Sequence, residues 1–170
     1  MAHFSGTHVQ NFDLKGRVSV PASFRAALRE NSATVRERAA LSEGAAGVFL
    51  AIPLVLRPSE KARCLEGWTE DRFNTLSAQL DSLDPLSAEH DAMATVIYGD
   101  AYTLETDKEG RIVIPDALLR GAGISRAGSV AFLGLGTRFQ LWEPSLVPGQ
   151  KAAALAAYHA RVARQKDAES

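Results

Sequence analysis

Aliphatic and polar residues alternate over two short stretches, and their surroundings repeat in the same order. Val18 and Val20 share one face of an extended segment, with Arg17 and Ser19 on the other. Ile112 and Ile114 stand against Arg111 in the same way. Strand-like residues precede both stretches, Val9 to Phe12 and Tyr102 to Leu104, with a polar turn between. The pattern predicts two hairpins with polar tips, over about residues 7–20 and 101–114. Pro21 and Pro115 then end each strand and open a short helix, where a missing N–H costs nothing. Phe24 and Leu28 lie four apart on the first helix, and Leu118 and Leu119 face inward on the second.

Between these units the periodicity changes. Residues 31–46, rich in Ala, Ser, Glu and Arg, read as a loop or a weak helical extension. Val48 to Ile52 predicts a buried strand, Pro53 and Pro58 bracket an exposed stretch, and Cys64-Leu65 fits one more short strand. Phe73, Leu76, Leu80 and Leu83 fall at helical spacing behind Thr69 as N-cap, with Glu70 and Asp71 in the favourable first turn. Asp84-Pro85 reads as a second cap, and Leu86, Met93, Val96 and Ile97 carry that helix to Gly99. The two helices are expected to form an antiparallel pair. Val130 to Leu133 and Arg138 to Trp142 read as strands joined by Gly134-Leu135-Gly136, and Glu143-Pro144 closes the unit. An Ala-rich tail follows, with Leu155, Tyr158 and Val162 at helical spacing.

The two turns are copies of one another. Asp13-Leu14-Lys15-Gly16-Arg17-Val18-Ser19-Val20-Pro21 returns 94 residues later as Asp107-Lys108-Glu109-Gly110-Arg111-Ile112-Val113-Ile114-Pro115. Asp at the first turn position and Gly at the fourth suit a tight turn, so Asp13, Gly16, Asp107 and Gly110 are assigned to shaping it. A repeat of strand, charged turn, strand and helix means one supersecondary unit used twice. The organisation predicted is an α+β fold with a first repeat over 7–72, connecting helices over 73–100, a second repeat over 101–144 and a helical tail over 145–170.

Composition narrows the function. A chain of 170 residues with 46% hydrophobic residues suits one domain or two small ones sharing a core. No apolar run reaches the ~20 residues that span a bilayer, and the first residues lack the basic-then-apolar pattern of a signal segment. One cysteine, Cys64, excludes an internal disulfide and makes a reducing cytoplasm the expected location. The net charge of −1 does not announce a nucleic-acid binder, but its distribution does more. Residues 1–38 carry a balance of +3, residues 66–109 of −9 and residues 110–170 of +4. Either the middle is a solvated acidic surface, or basic turns gather on one side and acidic helices on the other.

Most candidate chemistry dissolves on inspection. Cys64 among apolar neighbours reads as a small buried hydrophobe. His3, His8, His90 and His159 show no ligand spacing with one another or with Cys64, so no metal is expected. Gly134-x-Gly136 lacks a third glycine and follows no βαβ unit, so it reads as a turn. Asp13 and Asp107 are explained by turn geometry without acid–base work. No cofactor and no reaction is indicated. The repeated arginine is different. A single copy could be a surface residue paired with its turn Asp, a contact worth little. Two copies, Arg17 with Lys15 and Arg111 with Lys108, place two cations at each of two tips. Such a ribbon fits a DNA major groove, where Arg reaches guanine O6 and N7 and Lys contacts phosphate.

The doubled Asp-x-x-Gly-Arg-aliphatic-x-aliphatic-Pro, with Phe4-x-Gly6 before it and Arg138-Phe139-x-Leu141-Trp142 near the end, resembles the MraZ family of bacterial transcriptional regulators. The repeats of that family are of the SpoVT-AbrB, or swapped-hairpin, type. The resemblance implies a duplicated swapped-hairpin β-barrel unit with a helical pair between the repeats, assembled with copies of itself into a ring. It implies binding of double-stranded DNA at repeated elements upstream of the chain's own division and cell-wall operon, mainly as a repressor, in association with the nucleoid. Carried over by position, the DNA-contacting residues are Lys15, Arg17, Lys108 and Arg111. The chain departs from the family in a longer, proline-bearing 53–64 region and in Glu109 beside the second turn glycine. The competing reading is a protein-interaction module, antitoxin-like or a scaffold, whose tips meet an acidic protein.

Overall fold

Both Asp-to-Pro segments form the predicted tight turns, but the strands flanking them do not close into hairpins. The computed structural model describes residues 2–42 and 47–170. In chain order the first unit is β1 (Thr7–Asn11), β2 (Val18–Ser19), α1 (Ala22–Glu30), α2 (Ala33–Leu41), β3 (Pro53–Pro58) and β4 (Leu65–Trp68). Helices α3 (Glu70–Leu76) and α4 (Ala88–Tyr98) follow. The second unit is β5 (Tyr102–Glu105), β6 (Arg111–Ile112), α5 (Asp116–Ala122), β7 (Ser129–Gly134) and β8 (Phe139–Trp142). A last helix, α6, spans Val147–Glu169.

Beyond its turn each strand finds a partner in the other unit. β2 pairs antiparallel with β6, placing Val18 opposite Ile112 and Ser19 opposite Arg111. β1 pairs with β7, and β5 with β3. The six-stranded sheet runs β1-β7-β8-β4-β3-β5, an order that reads the same from either end when the two units are exchanged. Alternation predicted the buried faces correctly. Val18, Val20, Ile112 and Ile114 are each at most 1% exposed and join Phe24, Leu28, Leu118 and Leu119 in the main core. Phe4, Phe24, Phe132 and Phe139 fill its centre, with ring centroids 5.0–6.0 Å apart in edge and tilted contacts.

Several predicted boundaries move. The buried strand is Pro53–Pro58, while Val48 and Phe49 lie in no strand and are half exposed. Pro53 and Pro58 therefore end a buried strand instead of bracketing an exposed stretch. A proline at either end of a strand removes no essential ladder bond. Pro21 and Pro115 sit at the N-cap, with ψ of 141° and 137°, one residue ahead of the expected position. Thr69 caps α3 as predicted, accepting from Arg72 N–H at 3.1 Å. The next helix is capped by Ser87 rather than Asp84, whose carboxylate instead accepts from Leu86 N–H. Leu86 is thereby left fully exposed. α2 fills 33–41 of the expected loop-or-helix region, and residues 43–46 of that region lie outside those described.

Strand β3 divides two cores. Leu54 and Leu56 face the main core, while Val55 faces α3 and α4 and packs with Phe73, Leu80 and Ile97. The β2–β6 ladder and its turns thus lie on one side of the sheet, and α3 and α4 on the other.

Candidate nucleic-acid interface

Each turn is built around its own aspartate. Asp13 Oδ1 accepts from the backbone N–H of Lys15 (3.0 Å) and Arg17 (2.8 Å), and Oδ2 accepts from Arg17 Nε (2.8 Å). Asp107 repeats this: Oδ1 accepts from Glu109 N–H (3.0 Å) and Arg111 N–H (2.9 Å), and Oδ2 from Arg111 Nε (2.9 Å). Gly16 N–H donates to Asp13 O and Gly110 N–H to Asp107 O, closing both turns. Gly16 and Gly110 take φ of +77° and +79°, a region that other residues occupy only with strain.

The carboxylates respond to these bonds. Asp13 is held below its ordinary 3.8, first by the Arg17 backbone N–H and then by the Arg17 side chain and charge. At Asp107 partial burial pushes upward, but bonds from the Arg111 N–H and guanidinium and from the Glu109 N–H outweigh it, so this carboxyl is also lowered. Arg111 is raised, chiefly by its bond to Asp107.

The β2–β6 ladder sets the two turns side by side. Arg111 lies opposite Ser19, one step diagonal from Arg17. Asp13 Oδ2, bonded to Arg17, is 3.7 Å from Arg111 Nη1. The repeated arginines therefore share one carboxylate, with Lys15 and Lys108 exposed on the flanking turns. All four sequence-predicted cations belong to one surface.

A family model described as "MraZ protein, putative antitoxin-like" matches residues 3–40 and 97–146. Over 154 residues the chain is 46% identical to the transcriptional regulator MraZ of Gluconacetobacter diazotrophicus, covering 91% of this chain and 87% of that protein. It is 44% identical to the protein of that name from Gluconobacter oxydans, with 91% and 84% covered. For the Rickettsia bellii protein the identity is 35% over 134 residues, with 79% and 76% covered. The chain belongs to the MraZ family. These relatives carry the name of a transcriptional regulator, not of an enzyme.

Within this chain the two tips are not equivalent. Among the described residues Arg17 makes one ion pair, through Nε to Asp13, and both its Nη groups are uncommitted. Arg111 pairs with Asp107, with Asp13 through Nη1, and with Glu109 through Nη2 at 3.0 Å. The Nη atoms present a fork to a guanine edge. Arg17 offers that fork, whereas carboxylates occupy it on Arg111.

Two further arginines hold the surface together. Arg126 donates through Nη1 to Gly16 O at 2.6 Å and through Nη2 to Ile114 O, and it pairs with Asp116. Its side chain roofs Gly16, where an added Cβ would lie 2.6 Å from Arg126 Cδ. Arg25 donates to Val20 O at 2.9 Å and roofs Gly110 in the same manner. Each turn is thus covered by an arginine from the other unit. The repeat could not disclose this, because Arg25 stands four residues after its proline and Arg126 eleven after its own. No sequence signal marks either.

The dismissed candidates keep structural roles. Cys64 is buried, and that burial pushes its thiol up to about 11. His8 Nε2 meets Ser5 O at 3.1 Å and its ring packs on Phe24. Gly136 turns between β7 and β8 with φ of +80°. Among the described residues there is no group of three metal-ligating side chains, and no helix is long and apolar enough to cross a membrane.

Proposed function

We propose that the paired turns form the DNA-contacting surface of a transcriptional regulator, with Lys15 and Arg17 as its principal contacts and Lys108 and Arg111 as weaker ones. The observation that carries this reading is the placement of two copies of one charged turn, side by side, on one face of the sheet. The exchange of strands between units supports a duplicated swapped-hairpin arrangement, with repeats over 7–72 and 101–144. The names of the relatives, transcriptional regulator MraZ, support DNA as the partner. On the family resemblance, the chain acts from the cytoplasm and nucleoid as an oligomeric ring. There it binds repeated elements upstream of its own division and cell-wall operon, mainly as a repressor.

The test is a fluorescence-anisotropy titration against DNA from upstream of the chain's own coding sequence. Arg17→Ala is expected to lose about 1–3 kcal/mol of specific binding while remaining folded, with the parent's circular dichroism and a cooperative melt. An acidic protein as the true partner would instead show as unaltered DNA affinity in a folded variant.

A further inference from the structure

A second site lies across the sheet from the turns. A cleft of about 410 Å³ opens between the outer face of β3 and β4, with Arg138 just ahead of β8, and the helices α3 and α4. That volume suits a small organic ligand. Trp68, Leu76, Met93, Val96 and Ile97 give it an apolar wall. Its other wall carries Arg57, Lys61 and Arg138 beside Glu60 and Glu66.

Arg57, in β3, is 5% exposed. Its Nη atoms are committed to Glu66 (3.2 Å), Glu60 and Val96 O (2.9 Å), but its buried Nε has no partner. Trp68 Nε1 and Arg138 Nε are also buried without a partner. Buried N–H groups in folded proteins are almost always bonded, and leaving one unmet costs about 1–3 kcal/mol. Three such donors belong to residues that line the cleft but are themselves closed to solvent, so what an occupant meets there is the charge of the side chains. That charge favours an anion. Glu60 and Glu66 are engaged with Arg57, whereas Arg138 and Lys61 make no ion pair among the described residues. Arg138 instead lies 5.3 Å over the Trp68 ring.

We propose that this cleft binds a small organic anion, its carboxylate or phosphate head held by Arg138 and Lys61, and its apolar body against Met93 and Ile97. Val55 and Arg57 face this side of β3, while Leu54 and Leu56 face the core that carries the turns. An occupant therefore leaves the DNA surface uncovered. Nearly all of the lining lies between the two stretches matched by the family model, with only Ile97 and Arg138 inside them.

The experiment is isothermal titration of the full chain with benzoate, phenyl phosphate and benzyl alcohol, with tryptophan fluorescence followed in parallel because Trp68 lines the cleft. One or both anions should bind saturably and change the fluorescence, and the preferred anion identifies the head. Benzyl alcohol, equal in its apolar body, should not saturate. Arg138→Gln should weaken the preferred anion at least about tenfold, the loss of one charge-assisted bond. Lys61→Gln, at an exposed position that leaves folding intact, should weaken it in the same direction. The proposal is overturned if neither anion saturates, if benzyl alcohol binds equally, or if both variants bind as the parent does. It is also overturned if the fluorescence follows protein concentration alone, which would give the cleft to a second copy of the chain.

Discussion

At the scale of the residue, the two tips differ in charge at two positions, Lys108 standing in the second where Leu14 stands in the first. Lys15 in the first turn stands where Glu109 stands in the second, and Glu109 occupies one Nη of Arg111. Replacing Glu109 with Gln removes a carboxylate that repels phosphate and frees that nitrogen. Affinity for operator DNA should rise by roughly 0.5–1 kcal/mol, the size of an exposed ion pair, with a salt dependence steeper by about one phosphate contact. Anisotropy at several salt concentrations measures both quantities, and no change in either would place the second tip off the DNA.

The turn aspartates make a second residue-scale prediction. Both are lowered in the fold relative to their ordinary 3.8. A lowered carboxyl contributes stability that is fully present above the ordinary value and is lost as pH falls through the folded one. Urea midpoints should therefore decline below pH 3.8 more steeply in the parent chain than in the Asp13→Asn, Asp107→Asn variant. Parallel pH profiles would show that the two carboxylates add nothing beyond what an amide supplies.

At the scale of the element, what was legible depended on the kind of information periodicity holds. Alternation identifies a buried face, and so Val18, Val20, Ile112 and Ile114 were found. It does not say which strand lies alongside. The turn really closes, with Asp13 N–H donating to Arg17 O at 2.8 Å. A hairpin was the natural extension, yet β2 finds β6 from 94 residues away. The β3 shift has another cause. Proline interrupts the interior of a strand, but Pro53 and Pro58 stand at the ends of this one and only frame Leu54, Val55 and Leu56. The four candidate cations stand out through the repeat itself, while Arg25 and Arg126 act through backbone carbonyls that no motif announces.

The tail shows the limit of helical spacing as a sign of packing. α6 runs 23 residues, yet only Val147, at its start, is buried, and Leu155 and Tyr158 are 56% and 63% exposed. Ala-rich composition is enough to hold the helix. Removing residues 151–170 should shift the melting temperature by less than about 2 °C, since little apolar area is lost. A larger drop, dependent on protein concentration, would place α6 in a contact between copies.

At the scale of the whole molecule, charge and valence decide how such a surface can be useful. The two turns of one chain bring four cations, three carboxylates stand among them in the same turns, and the net charge is −1. A single contact of this kind belongs near the non-specific range of ~10⁻⁴ to 10⁻⁶ M. Selective binding then requires several turn surfaces acting on several DNA sites together. Linking sites can raise avidity by about 10²–10⁴ without any new contact, provided the geometry lets them engage at once. A ring of copies would supply that geometry if the repeats present the same groove face, about 10 bp apart. Operator DNA with one repeat should therefore bind far more weakly than DNA with several. Inserting half a helical turn between repeats should cost most of the gain, because it rotates one site away while leaving every base in each repeat unchanged. Titrations of one-repeat, multi-repeat and half-turn-shifted DNA at fixed salt separate the terms. If all three bind alike, the affinity resides in a single chain and its four cations, and a ring contributes nothing to recognition.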